Sequence, residues 1–399
     1  MREIQRIDFR IPTDAEWLFV LTTLFCTIVS LFFIPNENLE SFLLYIAFFS
    51  FSIFFVFLSN LTNHTKTSLF LFIIGMFLFG SLMAFRNKTA IDDRTYELVY
   101  NYILRDGLNY IFNYSAQEKG YLLLNYVISC LGVNDFCHVI TIITYFTFCL
   151  WGIALWQYRR KCNLSVMLLL LWSNYYFFVL YAGLIRIFIA LPITFIAFDK
   201  LAKKNLKAFL ICILIATLFH RSAFIMLLLV PLFFDSIQKH WKAFVGALFF
   251  LVPLFFLIIA KVIVPILGAR YSQYIVTGNI GVSAGNLDTL PIWMLGAYFL
   301  QFITENEKKT YIIGMVLLSL SLIFSISSSM VPLGRLIFFA NLGILIIASN
   351  IFEQKPVGII EKFIPCIFVA YAFVYVMHTT FLNPVCFDNL YPYQSYLFK

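Results

Sequence analysis

The sequence contains little charge. Asp, Glu, Lys and Arg make up only 12% of the 399 residues, whereas apolar and aromatic residues make up 62%, and the mean hydropathy is +0.89. A soluble fold of this length could not bury so much apolar surface, so most of it must face lipid or other membrane helices. The composition therefore predicts an all-α, polytopic transmembrane helical bundle, with residues 1–399 as a single integral membrane domain.

Several motifs of enzyme chemistry are also missing. The sequence has no Gly-rich phosphate loop, no zinc-ligand spacing and no nucleophile elbow, so nothing in it indicates ATP, zinc or serine chemistry. We expect neither a cofactor nor a metal. The net charge of +8 lies in short clusters between apolar runs, such as "YRRK" and "QKHWK". Such clusters are typical of cytoplasmic loops, so we expect no nucleic-acid partner.

What the sequence does have is a series of long apolar runs. The first follows a polar stretch with no small-residue cleavage site, so we predict a retained helix with a cytoplasmic N-terminus. Under the positive-inside rule, the segments 86–119, 263–288 and 379–399 then lie on the outer, periplasmic side. About 11 spanning helices are predicted, at 15–35, 39–58, 68–85, 137–157, 163–181, 183–199, 243–262, 289–304, 310–328, 333–350 and 358–378.

The segment 208–234 is apolar but has His220 and Arg221 near its middle. Lys207 and Lys239 flank it and are both expected in the cytoplasm, and each half has only about a dozen residues, too few to span a membrane. We therefore predict a re-entrant or broken helix pair, with the bend pointing toward the outer face. Irregular backbone at that depth is tolerated where protein or a water-filled cavity surrounds it.

Three arginines within or beside apolar runs, Arg186, Arg221 and Arg335, are all expected on the outer side of the membrane. Guanidinium groups grip phosphate with two parallel hydrogen bonds, so the three suit a lipid diphosphate that enters from the bilayer. Alternatively, each arginine caps a helix end, snorkels or pairs with a headgroup. His220 could act as a general base on a sugar hydroxyl, or it could hold the bend by hydrogen bonding to another helix.

The outer segment 86–119 supplies further candidates. Asp92 and Glu118 could bind sugar hydroxyls or replace His220 as the base, and Tyr96 could stack on a sugar ring. The other interpretations are solvated loop charges and an interfacial aromatic belt. The adjacent pair Asp92 and Asp93, with Arg94 beside it, is a weak metal signal.

Five motifs follow one another along the chain: "DDRTY" with Asp92 and Tyr96, "QEKGYLLLNYVI" with Glu118, Gly120 and Tyr121, "YAGLIRIFIALPITFIAF" with Arg186, "TLFHRSAFIMLLLVPLFF" with Phe219, His220 and Ser222, and "VPLGRLIFFANLGIL" with Arg335. This ordered set resembles the EpsG family, which belongs with the Wzy-type O-antigen and exopolysaccharide polymerases. The arginine-bearing helix departs from the family at Ile187, where a glutamine is common.

The resemblance implies a GT-C-like glycosyltransferase in the bacterial inner membrane, with its active site facing the periplasm. It would transfer a glycan from undecaprenyl diphosphate to the terminal sugar of a lipid-linked repeat unit. Arg186, Arg335 and His220 would be catalytic, and Arg221, Asp92, Tyr96 and Glu118 would bind substrate. Expected partners are the undecaprenyl-diphosphate-linked oligosaccharide, membrane lipid, a chain-length regulator and a flippase.

Other functions stay open on the residues alone. A flippase or transporter of the lipid-linked oligosaccharide would show two similar halves, and the sequence has no such symmetry. A membrane O-acyltransferase would need an acyl-donor site reached from the cytoplasm, whereas the inner loops are short and basic. An O-antigen ligase shares the chemistry of a polymerase, and only the family resemblance separates the two.

Overall fold

The structure is a computed structural model that describes residues 9–114, 117–258, 289–326, 331–354, 362–382 and 390–398. Within these ranges the chain is helical, with two isolated β-bridges and no strand, which confirms the all-α prediction. The chain forms two compact units, Met1–Pro192 with Lys355–Lys399, and Ile193–Gln354. The predicted outer loop 263–288 lies outside the described residues, and the single integral domain stays a prediction.

The helices follow the apolar runs closely, because a spanning segment must satisfy its own backbone hydrogen bonds. A π-helical turn, Trp172–Tyr176, joins the helix Leu164–Leu171 to the helix Phe177–Ala182, and another, Met377–Phe381, extends the helix Ile364–Val376. In order they are α1 Asp14–Leu31, α2 Leu39–Leu61, α3 Thr65–Ala84, α4 Asp93–Asn109, α5 Lys119–Cys130, α6 Phe136–Trp156, α7 Leu164–Leu171, α8 Phe177–Ala182, α9 Ile185–Ala202, α10 Leu206–Phe219, α11 Asp235–Lys239, α12 Trp241–Ile258, α13 Leu290–Phe299, α14 Glu305–Ile326, α15 Val331–Ala340, α16 Leu342–Glu353 and α17 Ile364–Val376.

Among the described residues, eight helical segments are long and apolar enough to cross a membrane, so this is a multi-pass membrane protein. The sequence predicted about eleven. The predicted span 183–199 forms α9, which carries three charged residues. The predicted span 289–304 forms an apolar helix of only 13 residues, Leu290–Phe302. The predicted span 243–262 begins as α12 and continues beyond the described residues.

Contacts in the first unit define two ends of its spanning helices. At one end, which we call the amino-terminal face, the amide of Arg10 donates to the carbonyl of Leu61 at 2.9 Å, and the Asn60 side chain donates to that of Asn163 at 3.2 Å. The N-terminal segment, the α2–α3 turn and the start of α7 therefore lie together.

The opposite face of the first unit joins the end of α3 to the C-terminal segment. The amide of Asn87 donates to the carbonyl of Gln394 at 2.9 Å, and the hydroxyl of Tyr393 donates to the carbonyl of Leu82 at 2.8 Å. The predicted outer segments 86–119 and 379–399 thus lie at the same end of this unit. The first of them is mostly helix, since it contains α4.

A buried ion pair anchors α4 at the opposite face. Arg86 donates from Nε and Nη2 to both carboxylate oxygens of Asp93, at 3.2 and 2.9 Å, and both side chains are at most 1% exposed. The amide of Ala90 and the carbonyl of Met83 complete their hydrogen bonding. The pair fixes where α4 begins relative to the end of α3, because both charges are satisfied only in this arrangement.

We expect the substitution Asp93→Ala to destabilise the protein by about 3–5 kcal/mol, because it leaves a buried, uncompensated guanidinium. The measurement is the midpoint temperature at which half of the purified protein in detergent is lost from its monodisperse gel-filtration peak after heating. The control is Asp106→Ala, which removes the partner of exposed Arg105 and should change this temperature little. Equal midpoints for the two variants would contradict a structural role for the buried pair.

In the second unit, the segment 206–233 folds back on itself. α10 ends at Phe219, and a 3₁₀-helix, Arg221–Phe233, packs against it. Lys204 precedes α10, yet its ammonium lies 2.9 Å from Asp235, which follows the 3₁₀-helix. The two ends of the segment therefore lie side by side. A re-entrant pair requires this geometry, and its entry into the membrane from the cytoplasm stays a prediction.

Candidate functional site

A tight turn between α8 and α9 positions Arg186. Gly183 has a φ of +73°, and a Cβ atom on it would lie 3.1 Å from the Cβ atom of Ala90 and 3.2 Å from that of Asp92. The amide of Asp92 donates to the carbonyl of Ala182 at 3.3 Å. Glycine is needed at this turn, because it tolerates positive φ and allows the close approach. The turn therefore holds the first residues of α9 against the start of α4.

Arg186 makes its polar contacts with residues far away in the sequence. Its Nη1 donates to the carboxylate of Glu118, and its Nε donates to the Tyr96 hydroxyl at 3.3 Å. The guanidinium carbon also lies 5.6 Å from the centroid of the Tyr96 ring. The Arg186 side chain is 20% exposed and that of Glu118 is 11% exposed, so the pair is largely shielded from solvent but a ligand can still reach it.

Glu118 and Tyr96 each come from a short helix outside the spanning segments. Glu118 occupies the N-cap position of α5, but its side chain is directed to Arg186 and makes no capping hydrogen bond. Tyr96 lies on the buried face of α4, with its ring centroid 5.3 Å from that of Tyr121. Burial raises the pKa of the Tyr96 hydroxyl, so it stays protonated and neutral near pH 7.

This cluster can bind an anion. Within the described part of the chain, Nη2 of Arg186 donates to no protein group, so the N–H groups of this nitrogen are available to a ligand. Charge-assisted hydrogen bonds of this kind are roughly twice as strong as neutral ones. Asp92, which is half-buried, lies beside Tyr96, and its charge acts on the Tyr96 hydroxyl. Arg186, Glu118, Tyr96 and Asp92 are therefore brought together in the first unit.

His220 lies at the break in the second unit. Its backbone is extended, with φ −153° and ψ 118°, so it ends α10 and caps the 3₁₀-helix. Its Nδ1 accepts a hydrogen bond from the amide of Ser222 at 3.3 Å, and the residue is only 5% exposed. A neutral imidazole whose Nδ1 accepts carries its proton on Nε2. In this conformation Nε2 is a hydrogen-bond donor.

Arg335 belongs to the same neighbourhood as His220. The α15 helix packs against the 3₁₀-helix, and the Phe339 ring lies 6.2 Å from the His220 ring, centroid to centroid. Arg335 precedes Phe339 by four residues, so the two lie one turn apart on the same face of α15. Arg335 and Arg221 are both exposed. The second unit thus groups three of the predicted residues, and a cavity shared by all the predicted cations stays a prediction.

Sequence reasoning missed the part played by Arg86 and Asp93. Both lie in the polar segment 86–119 between apolar runs, where the sequence alone predicts solvated loop charges. Their burial becomes visible only once α4 is folded over the end of α3. Among the described residues, no three His, Cys, Asp or Glu side chains are grouped so that they could hold a metal ion.

Comparison with known proteins gives one family. The model of the EpsG family matches residues 69–395, which is most of the chain and includes every candidate residue described above. Neither the curated proteins nor the solved structures contain a significant match. The GT-C-like architecture expected from the sequence therefore stays a prediction.

Proposed function

The chain belongs to the EpsG family of polysaccharide polymerase-like membrane proteins, and from this premise we propose that it polymerises lipid-linked glycan repeat units. The donor is a glycan on undecaprenyl diphosphate, and the acceptor is the terminal sugar of a lipid-linked repeat unit. The observation that carries the proposal is the Arg186 guanidinium, which is half-buried, is held by Glu118 and Tyr96 and has its Nη2 available to an anion.

The reaction forms one C–O bond and breaks another. An acceptor hydroxyl attacks the anomeric carbon of the donor sugar and loses its proton, while the bond to undecaprenyl diphosphate breaks and the electron pair leaves with the diphosphate. Negative charge grows on the diphosphate as that bond lengthens. Preorganised cations placed at this charge lower the barrier. Arg186 and Arg335 are assigned this role, with Arg221 as a further phosphate ligand.

Glu118 and Asp92 are assigned to the acceptor sugar. Carboxylates accept hydrogen bonds from sugar hydroxyls, and either one could take the proton of the attacking hydroxyl. Tyr96 connects Arg186 to the helices beside these carboxylates. Its hydroxyl accepts a hydrogen bond from Arg186, and its ring packs against that of Tyr121 in α5.

His220 is assigned to the leaving diphosphate as a hydrogen-bond donor. Its Nδ1 accepts from the Ser222 amide, so the proton of the neutral ring is on Nε2. The base role inferred from the sequence would require Nδ1 to give up Ser222, whereas donation from Nε2 requires no such change. A donor at the leaving group supplies the same kind of stabilisation as the arginines.

The charge distribution supports an orientation in the bacterial inner membrane. Basic residues at the amino-terminal face of the first unit include Lys66 and the run Arg159–Lys161, whereas Glu118 and the Arg86–Asp93 pair lie at the opposite face. Under the positive-inside rule this distribution supports a cytoplasmic amino-terminal face, and we assign the Arg186 cluster to the periplasmic side.

The test compares surface glycans on a gel from a strain that lacks the gene and from the complemented strain, where polymers of increasing repeat number appear as a ladder of bands. The strain should place single repeat units on its surface without a ladder, and the intact gene should restore the ladder. Loss of the single repeats as well would indicate that the protein moves the lipid-linked unit across the membrane, and this outcome would overturn the polymerase assignment.

A further inference from the structure

A groove of about 350 Å³ runs between α3 and α6 in the first unit. Its lining atoms are almost all apolar, and its middle is formed by Ile73 and Met76 from α3 and by Cys149 and Gly152 from α6. Both helices are long and apolar enough to cross the membrane. The groove therefore faces the lipid chains of the bilayer along its open side.

Aromatic pairs line the groove near its two ends. Near the amino-terminal face, Phe72 and Trp156 lie 5.2 Å apart between ring centroids, and at the other end Phe77 stacks on Tyr145 at 4.8 Å. Along α3 the lined stretch from Leu69 to Phe77 is roughly 12 Å long, at about 1.5 Å per residue. A long, narrow, apolar site of this kind fits a flexible hydrocarbon chain better than a compact polar ligand.

Positive charge gathers where the groove meets the amino-terminal face. The guanidinium carbon of Arg159 lies 4.5 Å from the centroid of the Trp156 ring, and Arg160 beside it is exposed. Lys66 precedes Leu69 by one turn of α3. In the described part of the chain no ion pair involves Arg159, Arg160 or Lys66, whereas Arg86 at the opposite face is paired. These cations are therefore placed for an anion from the membrane surface.

We propose that this groove binds an anionic phospholipid. An acyl chain lies between α3 and α6, and the headgroup phosphate meets Arg159, Arg160 and Lys66. The charge favours an anionic over a zwitterionic headgroup, because each basic side chain near a membrane surface strengthens binding roughly fivefold. The lipid-linked glycan is not the assigned occupant, because its diphosphate is assigned to the opposite face, where Arg186 lies.

The test uses the full chain in nanodiscs of equal phosphatidylglycerol and phosphatidylcholine, with retained lipid counted by native mass spectrometry after transfer to detergent. Gly152→Leu should fill the groove, since a Cβ at Gly152 meets only Phe72, at 3.9 Å. Gly246→Leu is the matched control, because a Cβ there meets nothing within 4 Å.

A second pair of variants tests the charge. The double variant Arg159→Gln with Arg160→Gln removes two positive charges beside the groove, and the control Lys239→Gln with Lys242→Gln removes two positive charges elsewhere.

The intact protein should retain phosphatidylglycerol in preference to phosphatidylcholine, and Gly152→Leu should lose this lipid while Gly246→Leu keeps it. The arginine double variant should reduce the preference by about 25-fold, and the lysine pair should leave it unchanged. Equal retention of the two lipids by the intact protein, or unchanged retention in Gly152→Leu, would overturn the proposal. Displacement of phosphatidylglycerol by added undecaprenyl phosphate would assign the groove to the polyprenyl chain instead.

Discussion

Arg186→Ala should reduce polymer formation roughly 100- to 1,000-fold, the usual effect of removing one preorganised donor from a developing negative charge. Arg186→Lys should recover only part of this loss, because an ammonium keeps the charge but not the planar fork that grips two phosphate oxygens. The measurement is ladder intensity in complemented cells, normalised to the amount of inserted protein. The control is Arg105→Ala, an exposed arginine of the same outer segment.

A structural explanation of Arg186 predicts a different pattern. If Arg186 served only to neutralise the shielded carboxylate of Glu118, then Glu118→Gln should rescue Arg186→Ala, because the unpaired charge would be gone. We expect no rescue of the ladder by this double variant, although its thermal stability should recover. Because Glu118 is itself assigned to the acceptor sugar, the comparison is with Glu118→Gln alone: the double variant should be less active than this single variant if Arg186 acts on the diphosphate, and equally active if Arg186 only neutralises Glu118. A full ladder from the double variant would contradict the assignment of Arg186 to the diphosphate.

His220 should show the second large effect, and its variants separate three roles. His220→Asn keeps an acceptor for the Ser222 amide at the N-cap of the 3₁₀-helix but has no donor at the position of Nε2. We expect it to insert and express normally yet to lose activity roughly 100-fold. His220→Gln can place an amide donor near the Nε2 position, so it should retain more activity than His220→Asn.

Other outcomes for His220 would identify other roles. Normal ladders from both the asparagine and the glutamine variant would show that the residue only holds the break between α10 and the 3₁₀-helix. If His220→Gln is no better than His220→Asn, and the activity of the intact protein rises with pH through the imidazole range near 6.5, the ring acts as a base. That result would contradict the donor role assigned here.

Much of the fold was predictable, because a membrane span imposes a strong requirement on composition. Apolar runs such as 68–85 and 137–157 correspond to α3 and α6 with shifts of a few residues. The break at His220 was also predictable, since a histidine and an arginine interrupt an apolar segment whose halves are each too short to span. The predicted span 289–304 forms a helix with nearly these bounds, Leu290–Phe302, but its 13 residues are fewer than a spanning helix usually needs.

The contacts of the site were less predictable. The family resemblance named Glu118 and Arg186 separately, but the ion pair joins residues 68 positions apart, and it depends on the Gly183 turn and on the packing of α5 against α4. Hydropathy likewise cannot distinguish the buried pair Arg86 and Asp93 from the solvated charges around it. The tautomer of a neutral His220 ring follows from the hydrogen bond that its Nδ1 accepts from the Ser222 amide, and no sequence pattern encodes that bond.

The most direct test of the central claim is reconstitution. Purified protein in liposomes is supplied with an undecaprenyl-diphosphate-linked repeat unit, and both glycan length and free undecaprenyl diphosphate are measured by mass spectrometry. The account predicts a ladder of polymers, with one undecaprenyl diphosphate released for each glycosidic bond formed, and almost none of either product with Arg186→Ala. Movement of the intact lipid-linked unit between leaflets, without bond formation or release of undecaprenyl diphosphate, would contradict it.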